Sequence, residues 1–277
     1  MIINADSAQI YRDLPILSAA PTTDEVKRAE HRLYGIRDGS EPCSAADWAG
    51  LARREIAAVH KAAKLPVLVG GTGLYLRTLL EGIAPIPAID PEVRRKVRES
   101  PVEENRAKLA ELDAEAAQRL KPSDKTRIAR ALEVVLSTGK TLSEWQKHRK
   151  GGIGGEITLK PLVLLPPRDW LYQRCDDRFA RMVEHGAERE VKALLARGLD
   201  PELPVMRAIG VREITACLNG DVTRAEAIAA GQQATRRYAK RQYTWFAHQP
   251  PAEWHRFREP LRDGATEQAL ALLGARP

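Results

Sequence analysis

The sequence SAADWAGLARREIAAVHKAAKLPVLVGGTGLY (44–75) contains, in order, a helix signal, a strand signal and a glycine turn. Ser44 with Asp47 three residues later is a capping box, and apolar residues then recur at helical spacing. PVLV (66–69) is a short apolar run that ends at a pair of glycines. Because MIIN (1–4) is also strand-like, this order predicts a strand–helix–strand unit of a parallel sheet.

The remaining strand signals lie far along the chain. They are expected near residues 158–165 and 253–257, with long helices up to about residue 197 and then over 209–219 and 223–247. Thr223 with Glu226 is the capping box that begins the last of these helices.

One segment, from about residue 85 to 155, has no strand signal. Asp90-Pro91, Asp113 and Ser123 are predicted to begin helices there, and Gly139 to end the last of them. The predicted fold class is therefore α/β, with a parallel sheet flanked by helices in a core of residues 1–84 and 156–277. The insert, 85–155, is predicted to be all-helical.

The composition of the chain argues against several classes of protein, such as membrane proteins and metal-cage proteins. Among 277 residues the apolar runs are too short to cross a bilayer, and no signal-like segment opens the sequence, which predicts a cytoplasmic protein without membrane contact. Cys43, Cys175 and Cys217 are odd in number and form no CxxC motif, which favours a reducing compartment and no metal cage. We expect all three cysteines to be small buried apolar residues. The net charge of +7 is compatible with a phosphate-rich partner.

Two glycine-containing motifs are candidate phosphate sites. Gly139-Lys140-Thr141 resembles the end of a P-loop, but the required earlier glycine is replaced by Val134, and the preceding residues are helical in pattern. We therefore interpret it as a helix C-terminus. VGGTGLY (69–75) places Thr72 at a strand–helix junction, where free N–H groups bind anions; a structural turn explains this motif equally well.

Basic residues cluster on the last long helix. At 100° per residue, Arg236, Lys240, Arg237 and Arg241 fall within an arc of about 140°, and no acidic residue lies between Gly231 and Phe246. Such an arc favours contact with phosphates or nucleic acid over a merely solvated face. Smaller basic sites are expected at Arg127 with Arg130, and at Arg207 just ahead of a helix.

In combination these stretches resemble the bacterial tRNA dimethylallyltransferase family, also called tRNA isopentenyltransferases. The matching segments occur in the family's order over nearly the whole chain: NADSAQIYRDLPI, APTTDEV, HRLYGIRD, SAADW, VLVGGTGLYLRTLLEG, DKTRIARALEV, TGKTLSEW, RFARMVEHGAEREVKAL, MRAIGVREI and TRRYAKRQYTWF. The resemblance implies a P-loop-kinase-like core with a helical insert that binds the anticodon stem-loop of tRNA. It also implies transfer of the dimethylallyl group of dimethylallyl diphosphate to N6 of the adenosine 3′ of the anticodon.

The resemblance assigns roles to individual residues. Asp6 matches the group that takes the proton from the adenine amine, and Thr72 and Arg207 match residues around the diphosphate. The predicted tRNA-binding set also includes Asp6 and Thr72; its other members are Ser7, Ala8, Gln9, Arg94, Thr126, Arg127, Ile128, Ala129, Arg130, Arg236, Arg237, Lys240, Arg241 and Gln242.

Family members carry a strand and a P-loop ahead of the NADSAQIY segment. This P-loop binds the diphosphate and supplies a ligand to Mg²⁺. We therefore expect Mg²⁺ as the cofactor but no metal ligand of the P-loop type within this sequence. We interpret the start at Met1 as a misplaced start or a lost N-terminus, and expect residues 1–277 alone to be inactive and less stable than their full-length relatives.

Two other functions remain open at this point: prenylation of free adenine nucleotides, and tRNA binding without catalysis. The expected partners are the anticodon stem-loop of tRNA and dimethylallyl diphosphate, and the expected oligomeric state is a monomer.

Overall fold

The computed structural model describes residues 1–262 and 264–274. The chain divides into two compact units, a core unit (Met1–Leu79 and Glu156–Pro277) and a helical unit (Leu80–Gly155). Residues 80–84 belong to the helical unit, although the sequence pattern placed them in the core. The reason is backbone pairing, because Ile83 and Lys150 exchange two N–H···O hydrogen bonds of 3.0 Å.

The strands of the core unit form two small parallel sheets. In the first, β1 (Ile2–Asn4) lies between β2 (His31–Arg32) and β3 (Val67–Val69). In the second, β4 (Leu162–Leu164) pairs with β5 (His255–Phe257). The four predicted strands are confirmed, each shorter than expected. The two-residue β2 was missed because His-Arg has no strand signature of its own.

Helices fill the remainder of both units. In chain order they are α1 (Thr23–Arg28), α2 (Ala45–Lys61), α3 (Gly73–Glu81), α4 (Pro91–Glu99), α5 (Val102–Leu112), α6 (Ala114–Arg119), α7 (Lys125–Thr138), α8 (Leu142–Gln146), α9 (Arg168–Glu184), α10 (Ala187–Leu195), α11 (Val211–Leu218), α12 (Arg224–His248) and α13 (Ala265–Leu272). A 3₁₀ turn, Pro204–Arg207, precedes α11.

Capping side chains set the helix starts as the sequence predicted, with one exception. The capping boxes of Ser44 and Thr223 are both present, and Asp113 caps α6. Ser123 was predicted to begin α7, but this is wrong: Asp124 is the N-cap, and its carboxylate accepts a hydrogen bond from the backbone of Arg127 at 3.1 Å.

The helical unit has its own apolar core. Leu109, Ile128 and Leu132 are at most 1 % exposed and pack with alanines and valines of α4 to α7. Gly139 ends α7 with a φ of 69°, the left-handed conformation that glycine adopts at little cost. Gly139-Lys140-Thr141 is therefore a helix C-terminus followed by the N-cap of α8, as interpreted from the sequence.

In the core unit α9 packs against α12. Gln232 on α12 donates a hydrogen bond to the backbone oxygen of Asp176 at 3.1 Å, and Arg236 forms an ion pair with the Asp176 carboxylate. This pairing brings one face of α9 and one face of α12 to the same side of the core unit.

Candidate active site

The site is built on the loop that follows β1. Asn4 is fully buried at the end of that strand, and its amide oxygen accepts the backbone N–H of Asp6 at 2.7 Å. Its amide nitrogen donates to the backbone oxygens of Asp6 and Leu33, both at 3.0 Å. Trp48 on α2 donates its indole N–H to the backbone oxygen of Asn4 at 2.8 Å. These bonds fix the backbone that carries Asp6.

Asp6 is held with one carboxylate oxygen unused. Its Oδ1 accepts the backbone N–H of Ala8 at 2.8 Å, which closes a tight local turn. Among the described residues no hydrogen-bond donor reaches the second oxygen, Oδ2, and Asp6 lines a cavity of the core unit. The carboxylate is therefore oriented by the turn and still able to accept a proton.

The glycine turn after β3 lies beside Asp6. The hydroxyl of Thr72 accepts the backbone N–H of Ser7 at 3.0 Å and lies 3.3 Å from the Ser7 hydroxyl. The Thr72 N–H donates to the backbone oxygen of Ala5 at 3.2 Å. The structure thus brings Thr72 into hydrogen-bond contact with Ser7, the residue that follows Asp6, although 65 positions separate the two in sequence.

Residues of α12 contact the glycine turn from the other side. Gln242 donates its side-chain N–H to the backbone oxygen of Gly71 at 3.0 Å. The Tyr238 hydroxyl bonds to the side chains of Thr72 and Gln242, and burial raises the pKa of this phenol. Tyr75, stacked on Trp48 with ring centroids 4.7 Å apart, has a pKa raised mainly by burial. Both phenols are therefore protonated at neutral pH, and the Tyr75 hydroxyl donates to the backbone oxygen of Cys43 at 3.4 Å.

A cavity of about 610 Å³ opens over Asp6. Its walls come from the loop at residues 6–9, from α9 and from α12, with Arg207 of the 3₁₀ turn on the same lining. Arg207 is largely exposed and lies 3.5 Å from Glu202. Apolar and cationic side chains line the same space, so the cavity fits a ligand with one apolar and one anionic part.

Two predicted contact residues have structural roles as well. Gln9 donates its side-chain N–H to the backbone oxygens of Ser18 and Ala19, at 3.0 and 2.7 Å. These bonds tie the loop after β1 to the following turn, so Gln9 holds the cavity wall in addition to lining it.

The basic arc of α12 is less uniform than the sequence indicated. Arg236 is paired with Asp176, so the expectation that no acid neutralises the arc is wrong for this residue. The helix pattern could not reveal this pairing because Asp176 lies on α9. Arg241 lies over the Tyr238 ring at 5.4 Å and lines the cavity. Arg237 and Lys240 are exposed.

The predicted tRNA-binding residues of the helical unit fall into two groups. Thr126 and Arg127 are exposed at the start of α7, where Arg127 pairs with Asp124 at 3.2 Å. Ile128 is 1 % exposed in the apolar core and Ala129 packs against it, so a direct RNA contact by the Ile128 side chain is excluded. Its helical position turns it inward, which a motif match could not show.

Arg94 and Arg130, the other two predicted residues, face a buried carboxylate. Glu133 has a side chain only 1 % exposed; its Oε1 accepts a hydrogen bond from Arg98 at 2.9 Å. Its Oε2 lies 4.0 Å from Arg94 and 3.9 Å from Arg130. One buried negative charge therefore holds three partly exposed guanidinium groups together on the surface of the helical unit.

We expect Glu133→Gln to lower the free energy of unfolding by about 1–3 kcal/mol, because it leaves the guanidinium groups of this cluster without their counter-charge. Urea unfolding measures the change. Glu111→Gln, at an exposed position of α5, is the matched control and should stay within about 0.5 kcal/mol. Equal effects of the two substitutions would contradict a special role for the buried carboxylate.

The cysteines depart in part from expectation. Cys175 is buried as predicted, but Cys43 and Cys217 are only partly buried, and Cys43 lines the cavity. In residues 1–262 and 264–274 no three His, Cys, Asp or Glu side chains group as metal ligands would. Nor does any helix of this described part have the length and apolarity needed to span a membrane.

The chain thus combines an α/β core, which has an acidic residue and cationic side chains at one cavity, with a separate helical unit. A family model described as IPP transferase matches residues 9–249. The tRNA dimethylallyltransferase of Erythrobacter litoralis is 60 % identical over 92 % of this chain and 81 % of that protein. That of Sphingopyxis alaskensis is 61 % identical over 94 % and 85 %.

Solved structures give the same result. The tRNA isopentenylpyrophosphate transferase of Bacillus halodurans matches with a TM-score of 0.68 and 33 % identity, over 99 % of this chain and 87 % of the other. A eukaryotic dimethylallyltransferase captured acting on tRNA matches with a TM-score of 0.73 and 28 % identity, over 88 % and 62 %. The chain therefore belongs to the IPP transferase family. The predicted family and fold class are confirmed.

Proposed function

We propose that this chain transfers the dimethylallyl group of dimethylallyl diphosphate to N6 of the adenosine 3′ of the anticodon in tRNA. Relatives at 60 % identity over most of the chain are tRNA dimethylallyltransferases, which supports the enzyme class. The observation that carries the proposal is the free carboxylate oxygen of Asp6, held at the wall of a cavity that also contains apolar and cationic side chains.

The reaction needs a base because the exocyclic amine of adenine is a poor nucleophile. As the N6 lone pair forms the new bond to the allylic carbon, the bond from that carbon to the diphosphate oxygen breaks and diphosphate leaves. The N6 proton moves to Oδ2 of Asp6. Positioned proton removal of this kind contributes typically ~10²–10⁴-fold to the rate.

Departure of the diphosphate requires hydrogen-bond donors and cations. Arg207 on the cavity lining and the Thr72 hydroxyl beside Asp6 are suited to this role. Mg²⁺, the expected cofactor, prefers oxygen ligands and is held largely through substrate phosphates. The hydroxyls of Ser7 and Thr72, 3.3 Å apart, are the oxygens that would face it, while Asp6 is reserved for the proton. When bound, the ion neutralises charge on the diphosphate.

The helix α12 is proposed to hold the tRNA through phosphate contacts of Arg237 and Lys240, with Gln242 and Arg241 nearer the cavity. We further propose that the enzyme works as a monomer in the cytoplasm, where its tRNA substrates are found.

We expect Arg237→Ala combined with Lys240→Ala to weaken stem-loop binding and to flatten its salt dependence. Each lost phosphate contact lowers the slope of log K against log salt by about 0.7–0.9. The slope is measured by titrating the stem-loop at several salt concentrations. Arg236→Ala is the informative comparison because Arg236 is paired with Asp176. This substitution should lower the free energy of unfolding and leave the salt slope almost unchanged. If the double variant kept the wild-type slope of log K against log salt, Arg237 and Lys240 would lie on a solvated helix face that does not contact RNA phosphates.

The function is tested with radiolabelled dimethylallyl diphosphate and two acceptors, an anticodon stem-loop and AMP, with Mg²⁺ present. Transfer to the stem-loop but not to AMP, abolished when the acceptor adenosine is replaced by guanosine, is the expected result. Transfer to AMP at a similar rate would favour prenylation of free nucleotides. Salt-dependent binding without any transfer would favour a tRNA-binding protein.

A further inference from the structure

The group of arginines around Glu133 includes one that the sequence interpretation did not single out. Arg98 lies one turn after Arg94 on α4, and their spacing of four residues puts both on one face of that helix. Arg130 of α7 faces the same carboxylate. The side chains of Arg94, Arg98 and Arg130 are 50, 63 and 41 % exposed. Two packed helices of the helical unit thus present three guanidinium groups at one place on its surface.

Glu133 holds Arg98 more closely than it holds the other two arginines. Its Oε1 accepts the Nε–H of Arg98 at 2.9 Å, which leaves the terminal nitrogens of Arg98 for another partner. Its Oε2 is buried and accepts no hydrogen bond from any described residue, and it lies 4.0 Å from Arg94 and 3.9 Å from Arg130. The N–H donors of these two guanidinium groups are therefore also available to a ligand.

The three cations are close enough to affect one another. Burial lowers the pKa of Arg130; Glu133 raises this pKa, whereas the neighbouring Arg94 and Arg98 lower it. In residues 1–262 and 264–274, Glu133 is the only carboxylate that forms an ion pair with any of the three arginines. One negative charge therefore opposes three positive charges, and the same carboxylate is the group that keeps the three arginines together.

The available donors and the excess of positive charge indicate a partner with several phosphates. Guanidinium groups form paired, planar hydrogen bonds with phosphate oxygens. Arg127, exposed one turn before Arg130 on α7, extends the basic surface along that helix. A basic surface that covers parts of two helices suits successive phosphates of a nucleic-acid backbone better than a single free phosphate.

We propose that Arg98 joins Arg94 and Arg130 in contacting backbone phosphates of the anticodon stem-loop, and that Glu133 is a positioning residue that holds the three guanidinium groups in place for this contact. Glu133 is buried, so it acts through the arginines and does not touch the RNA. The inference rests on the proposed function, because it takes tRNA as the acceptor. It adds one phosphate-binding residue and the carboxylate that organises the site.

Arg98→Gln tests the added contact. Glutamine is a good helix former and the side chain is exposed, so folding should be retained. The Kd for the stem-loop should rise about tenfold, because a hydrogen bond between charged groups is lost. The slope of log K against log salt should become flatter by about 0.7–0.9. A titration with fluorescent stem-loop at several salt concentrations measures both values.

Arg95→Gln is the matched control for Arg98→Gln. It removes the same charge from the same helix, but the Arg95 guanidinium is already paired with Glu92 and Glu99, both at 2.9 Å. Loss of an exposed, neutralised arginine should change the stem-loop Kd by no more than about twofold and should leave the salt slope unchanged.

Glu133→Gln separates positioning from net charge. Loss of a carboxylate makes the helical unit more positive, so charge alone predicts tighter RNA binding. Positioning predicts the opposite, a Kd about tenfold higher, because the guanidinium groups repel one another and spread apart. Glu133→Asp keeps the charge and should restore part of the affinity. Glu99→Gln removes an exposed carboxylate of the same unit and should bind the stem-loop at least as tightly as the wild type.

Neutral methylphosphonates at single positions of the stem-loop locate the contact. Replacement of the phosphate that Arg98 contacts should weaken binding to the wild type and have no further effect in Arg98→Gln, since that variant already lacks the contact. If Arg98 only stabilised the fold, every methylphosphonate would weaken binding to the variant as much as binding to the wild type.

Wild-type affinity and salt slope in Arg98→Gln would overturn the proposal, as would tighter stem-loop binding in Glu133→Gln. Arg98→Gln decides alone if Glu133→Gln does not fold. A wild-type protein without affinity for the stem-loop would overturn both this inference and the proposed function. A protein that binds the stem-loop through these arginines but transfers no dimethylallyl group would retain this surface and lose only the proposed reaction.

Discussion

Asp6→Asn is expected to lower kcat by about 10²-fold or more while leaving stem-loop affinity nearly unchanged. Asparagine keeps the shape of the side chain and an oxygen that can accept the N–H of Ala8, so the turn after β1 is preserved. It cannot take up the proton that leaves N6. Single-turnover transfer with saturating stem-loop measures the chemical step directly.

The matched control for this substitution is Asp24→Asn. Asp24 is in the first turn of α1 and largely exposed; among the described residues its ion-pair partner is Lys27, also exposed, at 3.1 Å. Its replacement should leave kcat unchanged. If Asp6→Asn kept a kcat within about threefold of the wild-type value, proton transfer would have to be assigned to another group of the cavity.

Gly70→Ala is expected to lower the free energy of unfolding by about 3 kcal/mol or more and to abolish most of the activity. A Cβ at this position would lie 2.2 Å from the backbone carbon and 2.3 Å from the backbone oxygen of Ala5. Ala5 cannot move aside easily, because its N–H is bonded to Val69 at 2.8 Å. Any shift that relieves the collision also displaces Asp6, the next residue.

Urea unfolding and the transfer assay together measure both effects of Gly70→Ala. Gly155→Ala is the control, since no described atom lies within 4 Å of a Cβ built there and its backbone is outside the left-handed region. The control should leave the urea midpoint almost unchanged. Similar midpoints for both variants would show that the turn after β3 can adjust and that close backbone approach is not required.

The local features of the fold could be read from the sequence because they depend on neighbouring residues. The capping boxes at Ser44 and Thr223, and the glycine end of α7, each need only a few consecutive positions. The ordered motifs likewise indicated the family. Asp6 and Thr72 were also identified in this way, and the structure brings them together through Ser7.

Two of the errors have the same physical cause, which is that the decisive contact is with another helix. The sequence predicted that Arg236 belongs to an arc of unpaired basic residues, but in the structure it forms an ion pair with Asp176 of α9. Ile128 matched an RNA-binding motif, but packing of α7 turns it into the core of the helical unit. Arg174, Arg178 and Arg181 of α9 recur at helical spacing in the sequence, but only the cavity that they line shows which side of the helix faces the site.

The sequence by itself determined most helix ends, four of the strands, the family and the acid at the end of β1, since these depend on short-range patterns and on motifs in a fixed order. The tertiary structure decided which charges are neutralised, which motif residues are buried, and which side chains share a cavity. Those properties arise from contacts between different elements, such as Arg236 with Asp176 and Gln242 with Gly71, and electrostatic and packing energies depend on such distances in space.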